Sequence, residues 1–294
     1  KPVRVVVGFS AGGTTDIVAR LMAKELTEAL GQPFIVDNKP GGGSNIATDQ
    51  VRAAEPDGYT LLMMAVTSTI NQTLYTNARF KLERDFDGVA LCAKMPNILV
   101  VNPNVPAKTV PEFIAWLKAQ GDKVSYASSG SGTSIHMAGE LFKVRTGTHA
   151  VHVPYKGSAP ALTDLMGGQV QYMFDNMISA WPHVQGGKLR ALAVTTKQRS
   201  PSAPDVPTME ESGVAPFDVT SWFGLVAPKG TPKAVLNKIN DTVNLAFDKP
   251  EVMQAYAKLG AVVEKNSPQD FNRFIHAEVE AWAPVVKASG ARVD

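Results

Sequence analysis

Arg4-Val5-Val6-Val7-Gly8-Phe9-Ser10-Ala11-Gly12-Gly13-Thr14-Thr15-Asp16-Ile17-Val18-Ala19-Arg20 is the stretch from which the rest of the chain is best read. A β-branched run ends at Gly8, and Ile17, Leu21, Lys24 and Leu26 follow at roughly helical spacing. The pattern predicts a buried strand, a small-residue loop and a helix. Gly12 and Gly13 carry no Cβ, so the loop backbone can come close to a ligand. The helix behind it brings unpaired N–H groups and a partial positive charge, which together favour a carboxylate or a phosphate.

Outward from this loop the same grammar repeats. Phe34-Ile35-Val36 reads as a second strand, followed by Gly41-Gly42-Gly43-Ser44 and a helix from about Ile46 to Ala54 that ends at Pro56-Asp57-Gly58. Thr60 to Val66 is a third strand, apolar on both sides as in a covered parallel sheet, and it runs into a hydroxyl-rich tip at Thr67-Ser68-Thr69. Strand, loop and helix in alternation predict a doubly wound α/β unit, whose ligands sit beyond the carboxyl ends of the strands. The order then returns. Val124 to Ala127 leads into Ser128-Ser129-Gly130-Ser131-Gly132-Thr133-Ser134, Ala150 to Val153 into Pro154-Tyr155-Lys156-Gly157-Ser158-Ala159-Pro160, and Val170 to Phe174 into Asp175-Asn176. Residue identity between the halves is low, so the repeat is one of order and loop chemistry.

We therefore expect two α/β lobes. Apolar strands ending at proline, near 98–103 and 222–228, are read as crossings between them. The first lobe would comprise residues 1–100 with 224–294, and the second 101–223. Helices from Pro232 to Phe247, Glu251 to Leu259 and Pro268 to Ala288 would return to the first lobe.

Totals limit the function. The 294 residues are 44% hydrophobic, with a formal net charge of +2 and no dense Lys/Arg block, which argues against a nucleic-acid partner. Cys92 is the only cysteine, so neither an intramolecular disulfide nor a thiolate metal cluster can form. No apolar run approaches a membrane span, and the chain begins at Lys1, which leaves room for a removed export signal.

Gly8-Phe9-Ser10-Ala11-Gly12 matches the G-x-S-x-G nucleophile elbow and lies between a strand and a helix, as that motif requires. Its place after the very first strand argues against a hydrolase, and none of His136, His149, His152, His183 and His276 sits in a recognisable acid-to-His arrangement. The glycine spacing fails the dinucleotide fingerprint, no Walker sequence is present, and no metal or cofactor is called for. Asp16 is either a helix cap or a ligand contact, and Arg20 stands one turn on to pair with it. Trp222 is either core or an apolar wall of the cleft.

These stretches resemble the Bug family, the periplasmic solute-binding proteins of tripartite tricarboxylate transporters. The resemblance rests on Gly8 to Asp16 with Ala19-Arg20, Asn38-Lys39-Pro40-Gly41-Gly42-Gly43 and Pro56 to Thr60. It continues through Gly130 to His136, Val153 to Leu162 and Asp164-Leu165-Met166-Gly167-Gly168. It implies a two-lobed type II periplasmic-binding-protein fold, each lobe a doubly wound sheet with flanking helices, that closes on a small carboxylate, with dicarboxylates foremost. The chain would be a monomer that delivers its ligand to transporter membrane subunits, without catalysis. The resemblance assigns one jaw to Phe9, Ser10, Gly12, Gly13 and Asp16. The other would hold Tyr155, Gly157, Ser158 and Pro160. Thr67, Ser68, Ser129, Thr133, Asp175 and Trp222 would meet the far end of the ligand.

Overall fold

The computed structural model describes residues 1–293. Its first unit runs β1 (Val3–Val7), α1 (Thr14–Leu30), β2 (Phe34–Asn38), α2 (Asn45–Arg52), β3 (Thr60–Ala65) and α3 (Val66–Leu74). After the short α4 (Leu82–Asp85) come the long strand β4 (Phe86–Val101) and α5 (Val110–Gln120). The second unit then repeats the first: β5 (Ser125–Ser128), α6 (Ser134–Thr146), β6 (Val151–Pro154), α7 (Ser158–Met166), β7 (Tyr172–Asn176) and α8 (Met177–Gln185). The chain ends with β8 (Arg190–Val194), β9 (Thr220–Pro228), α9 (Lys233–Ala246), α10 (Pro250–Lys258) and α11 (Pro268–Ser289).

The strands hydrogen-bond in the order β2-β1-β3-β9-β4-β7-β5-β6, with β8 also on β4. Read from either end, three parallel strands in the order second, first, third are followed by one antiparallel strand. This palindrome puts a pseudo-twofold between β9 and β4. With 16 residues, β4 is roughly 50 Å long, enough to serve both units. It pairs with β9 from Phe86 to Pro96 and with β7 from Asn97 to Val101. The long helix α11 packs on α3 and β4 and reaches α6 of the second unit.

Strand alternation sorts the core into layers. Val5, Val7, Leu61 and Met63 pack toward α1 and α9, while Val6, Leu62 and Met64 join the opposite layer with α3 and α11. Cys92 lies in the first layer, fully buried, and burial pushes its thiol up to about 12. No helix among the described residues is long and apolar enough to cross a membrane.

Two local expectations change. The hydroxyl-rich tip at Thr67-Ser68-Thr69 is the first turn of α3, and Asn176 is followed at once by α8. Ser and Thr favour caps and turns, but here their buried faces hold them in helices. The strand read near 98–103 is the end of β4, which begins at Phe86.

Candidate functional site

Five helices begin around one enclosed cavity at the carboxyl ends of the parallel strands. Gly13, Thr14 and Thr15 come from the cap and first turn of α1, Ala65, Val66 and Thr67 from the junction of β3 and α3, and Thr133, Ser134 and Ile135 from the cap and first turn of α6. Ser158 opens α7, Asn176 precedes α8, and the rings of Phe9 and Phe223 together with Ser129 complete the wall. Its walls close in tightly, leaving about 20 Å³, room for about one water molecule.

No Lys, Arg or His lines it among the described residues. Positive potential comes instead from helix starts. Only α6 has a side-chain cap, the Thr133 hydroxyl accepting from the His136 N–H; α1, α3, α7 and α8 have none. Each such terminus favours an anion by about 0.3–2 kcal/mol, less at α1 and α8, where the Asp16 and Asp175 carboxylates already stand. Backbone donors fixed by sheet and helix need no reorganisation to meet an anion.

The jaws touch directly. The Ser10 N–H donates to the Lys156 carbonyl at 2.7 Å, the Thr14 hydroxyl to Ser179 at 2.8 Å, and the Tyr75 hydroxyl to the Ser131 carbonyl at 3.4 Å. Gly157 permits this contact: a Cβ there would lie 2.1 Å from Ser10 Oγ. Ser10 Oγ is buried with no hydrogen-bond partner, so no histidine stands ready to activate it as a nucleophile. Beyond Phe9 and Ser129, which line both spaces, lies a second and more open cavity between Gly41-Gly42-Gly43 and Gly130-Ser131, with Tyr155 and Lys156 on its rim.

Of the residues named from sequence, Phe9, Gly13, Thr67, Ser129, Thr133 and Ser158 line the enclosed cavity. Ser10 and Gly157 form the jaw contact, and Tyr155 lies on the outer cavity with its hydroxyl on Asp164 at 2.6 Å. Gly12, Asp16 and Asp175 act from behind the wall. Asp16 accepts from the Gly12 N–H at 2.9 Å, Arg20 Nε at 2.9 Å and Asn38 Nδ2 at 2.9 Å, so it holds the first loop in shape. Burial alone would raise its pKa, but these bonds outweigh it and hold the carboxyl below its ordinary value.

Asp175 is fully buried and accepts from Ser158 Oγ at 2.7 Å and Ser179 Oγ at 2.5 Å. Burial lifts its pKa to about 6 against the opposing effect of those hydroxyls.

The remaining three line neither cavity. Ser68 faces Thr48 at 3.5 Å behind α3, and Pro160 is exposed on the outer side of α7. Trp222 requires a correction: it is core, its indole N–H donating to Glu278 Oε1 at 2.6 Å and its ring edge-on to Phe271 and Phe274. Neighbours on a strand face opposite sides, so Phe223 is the residue that reaches the cavity. Sequence reasoning also passed over Thr14, Thr15, Ser134 and Asn176. The repeat would have found Ser134 and Asn176 once each loop was continued into the first turn of its helix.

The description "Tripartite tricarboxylate transporter family receptor" matches residues 18–291. BugT of Bordetella pertussis is 36% identical over 295 residues, covering 100% of this chain and 90% of its own. The adipate-bound Rpa4515 structure from R. palustris is 36% identical with a TM-score of 0.96, over 99% of this chain and 98% of that one. MatC from Rhodopseudomonas palustris, with bound malate, is 35% identical with a TM-score of 0.93, over 97% and 98%.

Proposed function

The chain belongs to the tripartite tricarboxylate transporter receptor family, and on that premise we propose that it captures a small organic acid, a dicarboxylate foremost, in the periplasm and delivers it to the membrane subunits of such a transporter. The observation that carries this reading is the convergence of four uncapped helix N-termini on an enclosed cavity without a basic side chain. That arrangement suits a carboxylate held by backbone N–H groups. Adipate in one relative of the same fold and malate in another support the ligand class.

Capture works by closure of two lobes, read from sequence as 1–100 with 224–294 and 101–223; the pairing of β4 and β9 favours boundaries a few residues earlier, at 96/97 and 219/220. The hinge lies in β4 and β9, near the point where β4 changes partners between Pro96 and Asn97. The protein acts as a monomer and performs no chemistry on its ligand.

A thermal-shift screen against aliphatic dicarboxylates, tricarboxylates and aromatic acids tests the ligand class. A member present at about 100 times its Kd stabilises the fold by roughly 2.7 kcal/mol. An unfolding midpoint unmoved by every acid, with no heat of binding in calorimetry, would overturn the proposal.

A further inference from the structure

Hydrogen positions behind the cavity wall form a one-way relay. Ser179 Oγ lies 2.5 Å from Asp175 Oδ2 and gives its hydrogen to that carboxylate. It can therefore only accept from Thr14, whose hydroxyl donates to it at 2.8 Å. Ser158 spends its hydrogen on Asp175 Oδ1 at 2.7 Å. Thr14 and Ser158 both line the cavity, and each keeps only oxygen lone pairs to present there. A second network repeats the effect: Ser221 donates to Asn97 Oδ1 at 2.5 Å and accepts from Asn176 Nδ2 at 2.7 Å. Ser134, 2.7 Å from Ser221, is left to donate away from the cavity.

The cavity is thus divided by hydrogen-bond polarity. Backbone N–H groups at the helix starts are donors and suit a carboxylate. The Thr14 and Ser158 side chains are acceptors, and a carboxylate oxygen placed against them would meet lone pairs with no hydrogen between.

We infer that Asp175 is a positioning residue for ligand choice: by fixing the Ser158 and Ser179 hydrogens it makes this wall accept, so that the favoured ligand is a carboxylic acid bearing a hydroxyl that donates to Thr14 or Ser158. An ammonium would also donate, but it would stand against the positive ends of α1 and α7 and would need Thr14, Ser158 and Ser134 all at once. A single hydroxyl needs one. This inference rests on the carboxylate-receptor reading above and goes further, to the substituent on the acid.

Calorimetry on matched pairs tests it: succinate against malate, glutarate against 2-hydroxyglutarate and adipate against 3-hydroxyadipate, with aspartate as the amino counterpart of malate. The wild type should bind the hydroxylated member of at least one pair tenfold or more tighter. In Asp175→Asn the amide donates to one serine and frees that hydroxyl's hydrogen, so the ratio should fall to within threefold. Ser158→Ala reads the same ratio if Asp175→Asn does not fold. A role confined to packing would weaken both members alike and leave the ratio unchanged, which overturns the assignment of Asp175. Equal binding of both members in every pair overturns the hydroxyl preference and leaves the carboxylate reading standing. Aspartate binding more tightly than malate replaces the hydroxyl by an ammonium. Binding of no acid of any kind removes the receptor reading, and this inference with it.

Discussion

The first loop of each unit is held by the same device built from different chemistry. In the first unit the third residue of α1, Asp16, accepts the N–H of the glycine four positions earlier, Gly12, at 2.9 Å. In the second unit the third residue of α6, His136, accepts the N–H of Gly132 at 3.1 Å through Nδ1. Asp16 is charged, and Arg20 and Asn38 compensate it. His136 is neutral and buried, stacked on His152 at 3.9 Å, while His152 Nε2 lies 2.6 Å from Ser128 Oγ at the base of the same loop. Burial lowers His136 to about 4 and, with His136 beside it, His152 to about 3. Equivalent backbone geometry therefore does not require equivalent residues. It requires an acceptor, and the acceptor's charge decides how the loop responds to pH.

The helix caps show the same divergence, and disturbing them gives the largest expected effect. Gly13 and Thr133 occupy equivalent cap positions. Thr133 turns its hydroxyl back to Gly130 O and the His136 N–H, whereas Gly13 lies against the opposite jaw, where a Cβ would come within 3.3 Å of Ser158 N. Gly13→Val should weaken binding of the best acid from the screen by 100-fold or more, at least about 2.7 kcal/mol. Its φ of −83° suits a side chain, so the unfolding midpoint without ligand should move little. Unchanged affinity in calorimetry would remove this loop from the site and break the pairing of the two caps.

Much of this was legible in sequence. Gly12-Gly13, Gly130-Gly132 and Gly157 announced loops where backbones approach, and the recurrence of strand, loop and helix announced two units. The depth of the site was less legible, because Thr67 and Asp175-Asn176 read locally as polar turns, whereas tertiary burial makes one the start of α3 and sets the others at the junction of β7 and α8. The facing of Trp222 and Phe223 depends on strand register, and one residue of register decides which ring reaches the cavity. The pairing of Asp16 with His136 also escaped notice, since a carboxylate and an imidazole share no sequence signal beyond their position in the repeat.

Removing each acceptor sharpens the comparison at intermediate size. His136→Ala leaves the buried Gly132 N–H without its partner and opens space beside His152, so it should cost about 2–4 kcal/mol in chemical denaturation. Asp16→Ala exposes the Gly12 N–H at a position already open to solvent, and should cost about 1 kcal/mol. Equal losses would mean that the charged device carries as much of the fold as the neutral one.

The smallest effect is a slope. An imidazole whose folded pKa lies below its ordinary 6.5 contributes stability that is present above pH 6.5 and lost as pH falls toward the folded value. For His136 and His152 that window runs from 6.5 down to about 4 and about 3. Asp175 has the opposite sign. Its folded pKa of about 6 lies above the ordinary 3.8, so its contribution is fully present below pH 3.8 and lost as pH rises through about 6. Between pH 4.5 and 5.5 the unfolded chain holds protons on the two histidines that the folded chain lacks, and the folded chain holds one on Asp175 that the unfolded chain lacks. One proton corresponds to about 1.4 kcal/mol per pH unit. His152→Gln, which keeps a polar partner for Ser128, should therefore flatten the rise of stability with pH by up to about that amount. Asp175→Asn should steepen it by a similar amount, because a proton of opposite sign is removed. Asp16→Asn should leave this window unchanged, since its own loss begins only as pH falls toward 3.8 and below. Urea denaturation at half-unit pH intervals reads all three. A slope altered by Asp16→Asn and untouched by His152→Gln would reverse the roles given to the charged and the neutral device.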